Sequence, residues 1–193
     1  MPSENEPFKT ISSRVAWSCP WYSVRHDEIL LPDGQRGEFN VVQHDGAVWI
    51  VPVTTNGEML LLRHYRYTVR DWCWEVPAGG VHNGQALEDA ARKELLEETG
   101  GEATHWQYVG QFYTSNGLSN EVADVFLASG ITRRDTAHEP AEVLEVHPTP
   151  LREALHMART NQISDGPSAL AILLCEPLLR ALIESQEATQ EKA

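Results

Sequence analysis

The sequence predicts an α/β fold in layers, mostly β at first and α at the end. Two observations carry the prediction. From about residue 11 to 76, short runs rich in Val, Ile, Trp and Tyr alternate with Gly, Pro, Asn and Asp turn signals. A helical segment over 86–99 then interrupts the pattern, strand-like runs recur, and two helical segments close the chain.

Taken in order, "WYSVRHDEILL", "PDG", "EFNVVQH" and "DG" give two strands and their turns. "AVWIVPVTT" and "EMLLLRHYRYTV" read as a hairpin closed at Asn56-Gly57, a pair that tolerates the positive φ of tight hairpin turns. "VPAGGVHNGQ" (76–85) reads as a loop, because its Pro, Gly and Asn residues break both periodicities. The helix that follows stops at Gly100-Gly101, since glycine takes the left-handed conformation of a helix end without strain. Strand-like segments recur near 106–114 and 121–129, and the polar loop "GITRRDTAHEPAE" leads into "VLEVHP". Helices are expected near 150–160 and 167–184, and frayed ends over 1–10 and 185–193.

The chain of 193 residues can form one substantial domain, or one domain with a small lobe. With 15 Lys plus Arg against 28 Asp plus Glu, its formal charge of −13 argues against nucleic acid as a partner. A phosphorylated small molecule remains compatible if divalent cations stand between the negative groups. The sequence offers no apolar run expected to span a membrane and no signal-like core near its start. Cys19, Cys73 and Cys175 are scattered and odd in number, which fits neither a disulfide framework nor a zinc site. The expectation is a cytoplasmic protein with reduced thiols.

"AARKELLEETGG" (90–101) holds three carboxylates, Glu94, Glu97 and Glu98. At about 100° per residue, Glu94 and Glu98 fall within roughly 20° of Leu87 and continue the apolar stripe of Leu87 and Ala91. Glu97 lies on the adjoining side, so spacings of three and four residues bring all three toward one face. Buried like charges repel and desolvate poorly, so something positive should neutralise them. Hard oxygen ligands on one rigid element suit Mg²⁺ or Mn²⁺. The preceding "PAGG" turns the chain into the helix and leaves backbone groups, at Gly79 and Gly80 above all, able to meet a ligand.

"GGVHNGQALEDAARKELLEETGG", starting at Gly79, resembles the Nudix box, with Glu94, Leu95, Glu97, Glu98 and Gly100 on motif positions. Gln85, Lys93 and Gly101 depart from it, standing where the motif has Glu, Arg and an aliphatic residue. Lys for Arg loses a planar, bidentate donor, so support of the site should be weaker while its ligand positions stay intact. "LPDGQRGEFNVVQHDGAVWIVPV", "LLLRHYRY", "WEVPAGG" and "FYTSNGLSNEVADVFLA" make the similarity look closest to the ADP-ribose pyrophosphatase branch.

That resemblance implies a Nudix α/β/α sandwich over 46–193 carrying an antiparallel β lobe over 1–45 that dimerises and binds the base. It implies homodimers that exchange this lobe, and metal binding by Glu94, Glu97, Glu98 and the carbonyl of Ala78. Helix geometry favours Glu94 and Glu98 as the strongest ligands, with Glu97 bridging or acting through water. The general base falls on the loop "HEPAEVLEV", at Glu142 or Glu139, with alignment on "EVLEV" favouring Glu142; Glu97 is the third catalytic candidate. Arg66 matches an arginine that holds the diphosphate, Trp21 and Phe39 match aromatics that sandwich adenine, and Glu121 matches a loop position with no assigned role. The implied reaction is metal-dependent hydrolysis of a nucleoside diphosphate derivative, ADP-ribose first, to AMP and ribose 5-phosphate. The alternatives are a GDP- or UDP-sugar as substrate, or nucleotide binding without turnover.

Overall fold

The structure, a computed structural model, describes residues 6–82, 84–133 and 143–190. The chain divides into two compact units. One comprises the described part of Met1–Gly46 with Tyr113–Val122, and the other Ala47–Phe112 with the described part of Ala123–Ala193.

The smaller unit is an antiparallel sheet of β1 (Lys9–Ser18), β2 (Ser23–Leu30) and β3 (Arg36–Gln43), in that order. β1 starts inside the stretch read as a frayed end, because pairing with β2 from Lys9 to Ser18 satisfies its backbone. Central β2 buries Asp27 and Ile29, and Asp27 accepts hydrogen bonds from Ser13 Oγ at 2.6 Å and Arg25 Nε at 2.9 Å. The segment 113–122 joins the end of β3. There the Val42 amide donates to the Leu118 carbonyl at 2.9 Å, and the His44 amide to Asn120 Oδ1 at 2.9 Å.

The larger unit is built on a mixed sheet of eight strands among the described residues. Its strands are β4 (Ala47–Thr54), β5 (Glu58–Arg66), β6 (Asp71–Glu75), β7 (Ala78–Gly80), β8 (Gly101–Glu102), β9 (His105–Tyr113), β10 (Val122–Arg133) and β11 (Leu144–Pro150). The main path runs β11-β5-β4-β10-β8, with β6 on β5, β7 on β4 and β9 on β10. β4 and β10 pair in parallel, and the β4–β5 hairpin turns at Asn56-Gly57 with Gly57 at φ 78°. The run expected to continue to residue 69 stops at Arg66. Arg70, at φ 57°, helps to turn the chain back as β6. β7 lies where the sequence reads as loop: Ala-Gly-Gly has little strand preference of its own, and pairing with Ala47–Trp49 makes it a strand.

Alternation along the strands divides the core in two. Val48, Ile50, Leu60, Phe126 and Ala128 face α1 (Leu87–Thr99), meeting Ala90, Ala91 and Leu95. Val51, Val53, Met59, Leu61, Val125 and Leu127 face α2 (Leu151–Arg159) and α3 (Gly166–Gln190). The result is an α/β/α sandwich. Leu95 is fully buried, so truncating it to Ala would cost about 2–5 kcal/mol.

Two sequence expectations about α3 are corrected. It continues to Gln190, beyond the expected end at 184, and Gly166–Ala188 is long and apolar enough, by length and composition, to cross a membrane. In this unit its stripe of Ala171, Ile172, Cys175, Leu179 and Ile183 is buried in the core. That burial raises the Cys175 thiol to about 12.

Candidate active site on the central helix

Helix α1 begins after Ala86, with Glu88 and Asp89 in its first turn complementing the helix dipole. It ends at Gly100, which at φ 67° donates its amide to the Leu96 carbonyl at 2.9 Å. Thr99 Oγ1 donates to the Leu95 carbonyl at 2.6 Å and accepts the Gly101 amide at 3.0 Å, closing the end tightly.

Between these ends the acidic residues take different positions. Glu98 is 4% exposed, and its Oε2 accepts the Ala78 amide at 2.9 Å, joining helix to β7. The Glu94 side chain is 15% exposed and lies so close to Gly79 that a Cβ there would overlap its carboxylate. Both therefore turn inward, where the helical wheel puts them. Glu97 does not join them fully. Lys93 Nζ stands 2.7 Å from Glu97 and 3.3 Å from Glu94, drawing Glu97 to a partly exposed rim and easing repulsion among the carboxylates. Among the described residues, no three His, Cys, Asp or Glu side chains form a finished metal cluster.

Gln85, which stands where the motif has Glu, is bonded within the glycine loop. Its Oε1 accepts the His82 amide at 3.1 Å and its own amide donates to the His82 carbonyl at 2.9 Å, so it braces the glycine loop.

Arg66, the last residue of β5, is held by Glu75, the last residue of β6. Its Nε donates to Glu75 Oε1 at 2.8 Å and Nη2 donates to Oε2 at 2.5 Å. Burial opposes both charges. It is outweighed at Arg66 by the bonds to Glu75 and the fields of Glu75, Glu98 and Asp165, which raise the guanidinium above its ordinary value. It is outweighed at Glu75 by His64 and Arg66, which hold the carboxyl below the usual range.

Sequence reasoning assigned no role to Glu75 or Ser168. Buried Ser168, from the first turn of α3, accepts the Val76 amide on its Oγ at 3.1 Å. The signal for Glu75 was a carboxylate ending the aromatic run "DWCWE"; the register sets it opposite Leu62 and sets Arg66 opposite Asp71, so their ion pair is a diagonal contact that the sequence does not reveal.

Trp21, Phe39 and Glu121 lie in the smaller unit. Trp21 sits in the bend between β1 and β2, not on a strand, and is 79% exposed beside a polar cleft lined by Tyr22, Ser23, Gln43, His44 and Asn120. Phe39, on β3, is half exposed and meets Phe8 edge to face at 5.6 Å. Glu121 accepts Thr114 Oγ1 at 2.7 Å and lies 3.4 Å from His44 Nδ1. Glu139 and Glu142 lie outside the described residues.

Comparison with known proteins agrees with this architecture. Residues 43–169 match the NUDIX domain, and residues 8–42 match the nucleoside diphosphate sugar hydrolase N-terminal domain. The chain is 31% identical to an ADP-ribose pyrophosphatase of Bacillus subtilis (strain 168) over 166 residues, covering 85% of this chain and 90% of that protein. It is also 31% identical to an ADP-ribose pyrophosphatase of Mycobacterium tuberculosis over 169 residues, covering 86% and 82%. A crystal structure of an ADP compounds hydrolase superposes with a TM-score of 0.77 at 16% identity, covering 94% of this chain and 98% of that one, which shows the shared fold. On the domain match and on this identity, the chain belongs to the Nudix hydrolase family, as one of its pyrophosphatases.

Proposed function

We propose that this enzyme hydrolyses the diphosphate bond of ADP-ribose, releasing AMP and ribose 5-phosphate. One observation carries the reading: inward-facing Glu94 and Glu98 both meet the Ala78-Gly79 turn, Glu98 by accepting the Ala78 amide and Glu94 by filling the space a Cβ on Gly79 would take. The two pyrophosphatase relatives support ADP-ribose as the substrate.

Hard carboxylate oxygens, one of them admitted only because Gly79 lacks a Cβ, fit a small divalent cation, Mg²⁺ or Mn²⁺. Glu94, Glu98 and the Ala78 carbonyl would hold it, with Glu97 joining as its contact with Lys93 yields. Once bound, the cation supplies Lewis-acid polarisation of a phosphoryl oxygen and lowers the pKa of a water. The residues of the chain do the rest. Arg66 offers donors to the diphosphate oxygens and stabilises charge developing there. Glu142, or Glu139 in its place, takes the proton from the attacking water. Trp21 and Phe39 present exposed rings for the adenine.

The partner is a second copy of the chain. β1 is exposed along its whole length and presents Ile11, Val15 and Trp17, an apolar set on an edge strand that exchange of the lobe would cover. The setting proposed is the cytoplasm.

The test is AMP release from ADP-ribose with Mg²⁺ or Mn²⁺, repeated with a chelator and over a panel of GDP- and UDP-sugars. Chelator-sensitive release highest on ADP-ribose is expected. A preference for another nucleotide sugar would overturn the substrate, and tight binding with no product would overturn turnover.

A further inference from the structure

The diphosphate arginine does not hold itself in place. Arg66 ends its strand with a side chain that is 45% exposed, and a long exposed arginine samples many rotamers. Glu75, by contrast, has a side chain only 5% exposed and grips one edge of the guanidinium, through Nε and Nη2. Among the described residues Nη1 has no hydrogen-bond partner. The gripped edge thus leaves the opposite one open. Buried His64 lies behind the carboxylate, its Nδ1 3.6 Å from Oε2, beyond hydrogen-bond range.

Glu75 is itself anchored by the chain that follows it. The Val76 amide donates to Ser168 Oγ at 3.1 Å, the Pro77 carbonyl accepts the Ile50 amide at 2.9 Å, and the Ala78 amide donates to Glu98 Oε2 at 2.9 Å. Four consecutive residues are therefore tied in turn to Arg66, α3, β4 and α1. Such a segment fixes where the guanidinium stands relative to the acidic helix.

We infer that Glu75 is a positioning residue, which aims the free edge of Arg66 at the diphosphate from a backbone segment shared with the Glu98 site. This rests on the reading of Arg66 as a diphosphate ligand. Because Glu75 acts only through Arg66, its contribution vanishes when the arginine is removed.

The test is a double-mutant cycle of Glu75→Gln and Arg66→Ala on the full chain. It reads binding of the non-hydrolysable α,β-methylene analogue of ADP-ribose by calorimetry, and kcat and KM where turnover occurs. Loss of a charge-assisted pair predicts that Glu75→Gln weakens analogue binding about 10- to 100-fold in the parent. In the Arg66→Ala background it should have less than about a twofold effect, since coupled residues are not additive. Glu75→Asp, which keeps the charge, should recover part of the loss, and its melting curve shows that the fold is intact should Glu75→Gln fail to fold. Equal losses in both backgrounds, or no loss while Arg66→Ala binds weakly, overturn the role of Glu75 alone. Unchanged binding by Arg66→Ala overturns the diphosphate reading and this inference together.

Discussion

Replacing Glu98 by Gln removes one charge while leaving shape nearly unchanged, so it separates chemistry from folding. Glu98 is 4% exposed, and its Oε2 accepts the Ala78 amide at 2.9 Å. A glutamine amide oxygen can keep that bond. The fold should therefore lose no more than about 1 kcal/mol, a fall in Tm of roughly 2–4 °C. On the proposed reading of the site, the reaction loses a formal negative charge from the set of groups that would hold the cation. A drop of about 10²- to 10⁴-fold in kcat follows, equivalent to roughly 3–5 kcal/mol of transition-state stabilisation. AMP release from ADP-ribose at saturating Mg²⁺ and Mn²⁺, beside a thermal melt of the same sample, reads both quantities. Undiminished turnover with an unchanged melt would refute the placing of the cation at Glu98.

The remaining predictions concern the supports of the site. Gly79→Ala drives a Cβ into the Glu94 carboxylate, so activity should fall at least about tenfold while circular dichroism stays unchanged; a fully active variant would show that Glu94 need not lie there. Ser168→Ala leaves the Val76 amide buried without its acceptor, which should reduce unfolding free energy by about 1–3 kcal/mol in denaturant titration. Glu75 has a folded pKa below its ordinary 4.5, so the stability it contributes is complete above that value and is lost as pH falls through the lower folded value. The Tm of the parent should accordingly drop more steeply than that of Glu75→Gln below about pH 4.5, and parallel curves would contradict the pairing.

Much of the fold could be read before the structure because its local signals agree with its tertiary contacts. Asn56-Gly57 closes a hairpin that alternation alone would draw, and Gly100 ends the helix where the apolar period stops. What escaped reading was decided at a distance. β7 is three residues long and exists through β4, and the strand ending at Arg66 is cut short so that β6 can return. The site divides in the same way. Inward placement of Glu94 and Glu98 follows from helical periodicity, whereas Lys93 capturing Glu97 is a choice among rotamers that spacing does not fix. Ser168 reads as an ordinary residue of a helix start, and only the 92-residue separation closed by its bond to Val76 reveals its task.

The smaller unit is discontinuous, since Tyr113–Val122 completes what the first 46 residues begin. During synthesis, Val42 and His44 emerge from the ribosome long before Leu118 and Asn120, which supply the partners of their amides. The opening sheet must wait, with its edge unsealed, until most of the polypeptide has been made. A shortened gene that removes the first 46 codons would strand the later segment with nothing to dock on, so this lobe is no detachable module.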